Sequence, residues 1–148
     1  MTLEDLRLVE HVHGHLGWLA AAVLVHPAVV LRDRKRRAHW AVGLATAFVT
    51  IASAIGAWLY VSYTERLKQS IFIATPTIGM LFERKEHLAF GAVVLAWAGA
   101  AAYFAAPRAS EATRTLLRTI AFRAFVAAAA LAIVVACLGT VVSVTKSF

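Results

Sequence analysis

Residues 39–61 read HWAVGLATAFVTIASAIGAWLYV and contain no Asp, Glu, Lys or Arg. A membrane-spanning helix needs about 20 such residues in a row. Three further apolar segments of similar length occupy residues 12–31, 87–106 and 124–143. Their Ala, Gly and Ser content is typical of membrane helices that pack closely. The four segments predict one domain over residues 1–148, an all-α four-helix transmembrane bundle.

The composition excludes an ordinary soluble domain. Of the 148 residues, 61% are hydrophobic and 16% are charged, with a mean hydropathy of +0.73. Soluble domains are about half apolar and about a quarter charged. The single cysteine, Cys137, excludes an intrachain disulfide. The sequence has no C-x-x-C-H motif, which excludes covalent haem attachment of the usual c type.

The net charge of +7 is concentrated between the apolar segments. Five Lys or Arg residues lie in the first connection, 32–38, and Arg108, Arg114 and Arg118 lie in the third. Loops rich in Lys and Arg stay in the cytoplasm. This pattern therefore predicts both termini outside a cytoplasmic membrane, with the lipid bilayer rather than nucleic acid as the partner.

Two connections carry local signals. Asp33 can cap the second helix, which predicts a tight hairpin centred near Arg32 and Asp33. The outer connection, 62–86, is long and partly apolar, so it is either an interfacial loop or a lid at the outer face. Within it, Thr75 and Pro76 have the pattern of an N-cap and first helical residue, so the third helix could begin near residue 76.

Six histidines occur in this apolar chain, and ionisable residues in membrane helices usually mark functional sites. His13 or His15 of helix one and His87 of helix three lie toward the outer side. His26 and His39 lie toward the inner side and are level if the first hairpin is tight. Two such pairs would hold two b-type haems, each iron with two axial imidazoles.

The outer ligand in helix one stays open between two histidines. His15 shares a helix face with His26, eleven residues and about 16 Å away. His13 instead has a glycine one turn later, which leaves room for a flat ring. That spacing recurs in the pairs His13–Gly17, His39–Gly43 and His87–Gly91.

Haem propionates need cations or hydrogen-bond donors near the membrane surface. Candidates at the inner end are Arg32, Arg36 and Arg123. Candidates at the outer end are Arg84 and Lys85.

Taken together, His13-Gly-His15, His26-Pro27, His39 and His87 resemble the ligand pattern of small bacterial four-helix b-type membrane cytochromes. The chain is also loosely similar to an uncharacterised family of small four-helix membrane proteins with histidines at the starts of helices one and three. The resemblance covers residues 11–106. It implies electron transfer through one or two non-covalent haems in the bacterial inner membrane, with a quinone or a redox protein as partner. The chain would act as a homo-oligomer or as a subunit of a larger complex. Larger dihaem cytochromes differ, because they place both ligand pairs on two helices.

Other interpretations assign the histidines no haem. His39 and His87 each begin a helix, where histidine is common as an interfacial residue. His11 and His15, at i and i+4, could form an outer zinc or copper site. The chain would then be a metal-binding membrane protein or a non-haem accessory or assembly subunit.

The sequence favours an electron-transfer protein over an enzyme. It shows no nucleophile–base constellation and no paired buried carboxylates. Quinone oxidation or reduction at one face is a further expectation, with an outer rim of proton acceptors at Glu65, Glu83 and Glu86.

Overall fold

The computed structural model describes residues 3–33 and 36–145. These residues are mostly helical and include no β-strand. The elements are α1 (Leu3–Val30), α2 (His39–Arg66), α3 (Lys68–Ala74), α4 (Pro76–Ala105), a short 3₁₀ turn (Ala106–Arg108) and α5 (Glu111–Thr145).

Four of the helices, α1, α2, α4 and α5, are long and apolar enough to cross a membrane. Large apolar side chains cover their outward faces, among them Trp40, Phe90 and Val29. In water such a surface would favour association, whereas lipid solvates it. The predicted all-α four-helix bundle is confirmed, and the protein is a multi-pass membrane protein.

The bundle has a simple cyclic arrangement. α1 packs against α2 and α5, and α4 packs against α5 and α2. The α4–α5 interface is the most extensive of these. The short α3 lies outside this ring, in contact with α2 and α4.

Alanine dominates the core. Fully buried positions include Ala45, Ala96 and Ala128, with a few larger side chains such as Phe125 and Leu24 between them. Small residues let helix backbones approach closely, which is how helices associate where lipid removes the usual hydrophobic advantage.

The outer connection is more regular than the sequence analysis expected. Residues 62–86 are helical except at Leu67 and Thr75, so the predicted loop is instead the end of α2, all of α3 and the start of α4. The predicted start of the third long helix near residue 76 is confirmed. The charged stretch 83–86 therefore lies on α4, where its side chains have defined faces.

The predicted cap of α2 at Asp33 is wrong. The N-cap residue is Ala38, and α2 begins at His39. The Ala38 N–H donates to the buried Tyr103 hydroxyl of α4 at 2.6 Å. This tertiary hydrogen bond fixes the helix start, so the connection is longer than a tight hairpin.

The α1–α2 connection is also tied to α5. Arg118 donates from Nη1 to the backbone oxygen of Arg36 at 3.2 Å. The Arg118 guanidinium lies 4.7 Å from the centroid of the Tyr103 ring, within cation–π range. The C-terminal end of α4 and the N-terminal end of α5 thus hold the connection in place. This end of the bundle, which the basic residues predict to be cytoplasmic, is called the inner end below, and the opposite end is called the outer end.

A substitution at Gly99 tests the close approach of α4 and α5. A Cβ added there would lie 3.0 Å from the Phe125 ring and 3.2 Å from the Ala124 Cβ. We expect Gly99→Val to lower the free energy of unfolding in detergent by about 1–3 kcal/mol through overpacking. Gly14→Val is the control, since nothing lies within 4 Å of its added Cβ. Equal effects of both substitutions in thermal unfolding would contradict this packing.

Cysteine labelling tests the orientation predicted from the basic connections. In a Cys137→Ser background, Gln69→Cys on α3 and Ser110→Cys before α5 introduce thiols at opposite ends of the bundle, both at exposed positions. We expect a membrane-impermeant maleimide to label residue 69 in intact spheroplasts and residue 110 only in inside-out vesicles. The reverse pattern would invert the topology.

Candidate functional site in the outer half of the bundle

His13 is the histidine that the fold turns toward a neighbouring helix in the outer half. Its half-buried imidazole lies against Gly56 of α2, where an added Cβ would be 2.8 Å from His13 Cε1. The Ala52 carbonyl of α2 lies close to the same ring. The Nδ1 atom is buried without a partner. One turn of α2, from Ala52 to Gly56, therefore receives this ring.

Lys85 of α4 is buried beside this site. Only 9% of the residue is exposed, and its Nζ lies 3.0 Å from Oε1 of Glu86. The ammonium also lies 4.5 Å from the centroid of the Phe82 ring. Both Lys85 and Glu86 act electrostatically on His13. The fold thus brings together two residues that the sequence analysis assigned to an outer haem, one from α1 and one from α4.

An aromatic stack borders the Lys85 pair. The rings of Tyr63 and Phe82 are stacked at 3.8 Å between centroids. Tyr63 is 3% exposed, and its hydroxyl is buried without a hydrogen-bond partner. Two unpartnered buried polar atoms, His13 Nδ1 and Tyr63 Oη, therefore lie in the outer half. Such atoms are costly unless something satisfies them.

The helix α3 covers this end of the bundle. Lys68 Nζ lies 3.0 Å from Oε1 of Glu83, and the Tyr60 hydroxyl donates to the same carboxylate at 3.2 Å. The hydrogen bond to Glu83 raises the pKa of Lys68 above its ordinary value. Phe72 of α3 packs so closely on Gly79 that an added Cβ would lie 2.7 Å from its ring. The middle of the outer connection is thus a short helix attached to α2 and α4, and its role as a lid stays a prediction.

The other outer histidines lie outside this site. His15 is exposed, and His11 is exposed with its Nδ1 2.7 Å from the Arg7 carbonyl oxygen. His87 is exposed, with Nδ1 2.7 Å from the Glu83 carbonyl oxygen. His87 follows Lys85 by two residues, which is about 200° around a helix. It therefore presents its ring to a different side of α4 from Lys85.

The inner histidines do not face each other. His39 packs against Tyr103 and Phe104, with ring centroids 5.4 and 6.0 Å apart. His26 is exposed and lines a groove with Trp40. The level arrangement of His26 and His39 stays a prediction, and His26 shares its groove with Trp40, the residue after His39.

The glycines after the histidines have different surroundings. Cβ atoms added at Gly17 and Gly43 would meet nothing within 4 Å, so both border open space. At Gly91 an added Cβ would lie 3.4 Å from Leu131 of α5. Gly91 therefore contributes to the α4–α5 contact. Gly56, which the sequence analysis did not single out, is the glycine in contact with a histidine ring, and its small-residue spacing with Ala52 is the signal that could have identified it.

The predicted propionate partners differ in their surroundings. Lys85 points into the bundle, whereas Arg32, Arg36, Arg84 and Arg123 are exposed. Within residues 3–33 and 36–145, no group of three or more His, Cys, Asp or Glu residues is arranged to hold a metal ion. The outer zinc or copper site therefore has no ready-made ligand cluster in the described part of the chain.

Comparisons with known proteins do not assign the chain to a family. No model of a known protein family matches the chain, and neither a curated protein nor a solved structure matches it.

Gly56 provides a test of the His13 environment. Gly56→Ala places a methyl group where the imidazole now lies, so the ring must move. We expect the ¹⁵N resonances of the His13 ring to shift and the free energy of unfolding to fall by about 1–3 kcal/mol. Gly43→Ala adds the same methyl group in open space on α2 and should change neither. Equal effects of both variants on His13 would show that its ring does not contact Gly56.

Proposed function

We propose that this protein transfers electrons within a membrane through non-covalent b-type haem, bound in the outer half of the bundle with His13 as an axial ligand. The observation that carries the proposal is the His13 imidazole in contact with α2 and close to the buried Lys85, with an unpartnered buried Nδ1. Ionisable groups in such positions in a membrane protein are functional by default.

The surroundings of His13 suit a ligand. Histidines that bind metals usually donate the other ring N–H to a carbonyl or carboxylate, which fixes the tautomer. The Ala52 carbonyl lies close to the His13 ring and would serve as that acceptor. No group within the described residues uses the buried Nδ1 atom.

Lys85 is suited to bind a propionate of the haem. Its ammonium is a donor for a propionate, and charge-assisted hydrogen bonds of this kind are strong. In the present structure Glu86 fills that role at 3.0 Å. A propionate would compete with Glu86 for Lys85, and Tyr63 offers a second donor from a buried hydroxyl.

When bound, haem supplies a one-electron couple, and the residues of the chain set its surroundings. His13 holds the iron through its imidazole. Phe82 and Tyr63 limit access of water from the outer end. Lys85 contributes positive charge, which favours the reduced form and raises the reduction potential.

The site could take two forms, which would differ in whether His87 binds the iron together with His13. His87, the predicted partner of the outer haem, lies on another side of α4 in this structure. Ligation by both His13 and His87 therefore requires α4 to turn about its axis on loading, whereas ligation by His13 alone does not. An inner haem on His26 and His39, a quinone, a redox protein partner and location in the bacterial inner membrane stay predictions from the sequence.

Haemin titration of histidine variants tests the proposal. The full chain is purified in mild detergent without haem, and binding is followed by the Soret band. We expect His13→Ala to weaken binding by at least about tenfold, which corresponds to about 1.4 kcal/mol. His11→Ala is the matched control, because its ring is exposed and bonded to its own helix. A loss in His87→Ala as large as in His13→Ala identifies the bis-histidine form.

Two outcomes would contradict the proposal. Unchanged haem affinity in His13→Ala would remove His13 as a ligand. A chain that stays colourless at saturating haemin would leave a non-haem accessory or assembly subunit as the function, with His13 and Lys85 as structural polar groups.

A further inference from the structure

The inner half of the α1–α2 face has an apolar groove of about 440 Å³. The groove is separate from the proposed haem site, which lies in the outer half. It opens outward, where a membrane places lipid, since four of its lining residues are exposed. It is lined by Ala22, Val23 and His26 of α1 and by Trp40, Ala41 and Leu44 of α2.

The lining changes chemically with depth. The exposed side chains of Arg36 and Arg37 belong to the connection just before α2. His26 lies about 6 Å below the inner end of α1, and Ala22 lies about 12 Å below it. The described structure gives His26 no hydrogen-bond partner, although it is a polar side chain facing lipid. Positive charge, a polar ring and an apolar groove therefore follow one another from the surface inward.

The described part of the α1–α2 connection carries a net positive charge. Arg32, Arg36 and Arg37 are exposed there, with one exposed acid, Asp33. Arg118 adds a further guanidinium, since it donates to the Arg36 backbone oxygen at 3.2 Å. Arginine matches phosphate geometry through its planar fork of donors. Basic sites between cytoplasmic helix ends bind anionic lipid headgroups.

We infer that this groove binds one anionic phospholipid of the inner leaflet. Its phosphate contacts Arg36 and Arg37. An ester oxygen of its glycerol accepts a hydrogen bond from His26 or from the Trp40 indole. An acyl chain lies along Ala22 and Leu44, so every layer of the groove has a matching part of the lipid.

Tryptophan quenching tests this inference on the full chain in detergent. The probe is phosphatidylglycerol with brominated acyl chains, and Trp40→Phe identifies the share of the quenching that comes from Trp40. We expect saturable quenching of Trp40 by phosphatidylglycerol, and about tenfold weaker binding of brominated phosphatidylcholine. Equal affinity for the two lipids would overturn the inference.

Two double variants distinguish a specific lipid-binding site from general electrostatic attraction to anionic lipid. Arg36→Gln with Arg37→Gln removes two charges beside the groove. Arg108→Gln with Arg114→Gln removes one charge from the 3₁₀ turn after α4 and one from the start of α5, at the same end of the bundle. We expect the first double variant to weaken phosphatidylglycerol binding about tenfold and the second to change it less than about twofold. An equal loss in both would show only nonspecific attraction to anionic lipid.

A groove variant tests the acyl-chain part. Ala22→Phe fills the groove from an exposed position, and Ala101→Phe adds the same ring at an exposed position of α4. We expect only Ala22→Phe to abolish the Trp40 quenching. Displacement of the lipid by inorganic phosphate would indicate a site for free anions. Haem bound here, lost in His26→Ala and unaffected by lipid, would make the groove a haem site. Either result would overturn the inference.

Discussion

Lys85 places a charged group inside a bundle that lipid surrounds, and much of the outer half is arranged to make this tolerable. An ammonium removed from water needs a partner and further favourable contacts. Glu86 supplies the ion pair at 3.0 Å, and the Phe82 ring supplies a cation–π contact. Gly139 of α5 lies beside the Lys85 side chain. Three elements of the environment, a carboxylate, an aromatic ring and the neighbouring helix α5, therefore surround the ammonium and its stem.

The two ends of the bundle use polar groups differently. At the outer end, side chains meet each other in a partly buried network that includes unpartnered atoms of His13 and Tyr63. At the inner end, side chains satisfy the backbone of the α1–α2 connection, through Tyr103 to Ala38 and Arg118 to Arg36. The inner contacts have a clear structural role. The outer contacts leave these two buried polar atoms without hydrogen bonds, and this is why we propose the haem site there.

The sequence predicted the four spans well, because long apolar runs have few alternatives to a transmembrane helix. It predicted the start of α4 from Thr75 and Pro76, a local signal that the fold keeps. It left residues 83–86 either in the outer connection or within a helix that begins near residue 76. In the structure, Lys85 pairs with Glu86 and Glu83 pairs with Lys68, so the helix continues through them. Pairing of this kind depends on neighbours that a sequence pattern does not show.

The choice between His13 and His15 shows the same limit. His15 does share a helix face with His26, and both are exposed, so that face points away from the bundle. Helix periodicity shows which residues of one helix share a face, but it does not show which face turns toward a neighbouring helix. The start of α2 differs for a similar reason, since the capping preference of Asp33 is weaker than the contact between Ala38 and Tyr103.

The most direct test of the account is the dithionite-reduced minus oxidised absorption spectrum of the protein, purified in mild detergent from cells with ample haem. The haem content per chain is measured on the same sample. We expect the sharp bands of a b-type cytochrome, with at least one haem for each chain. A folded protein without these bands would contradict the assignment of His13 as a haem ligand.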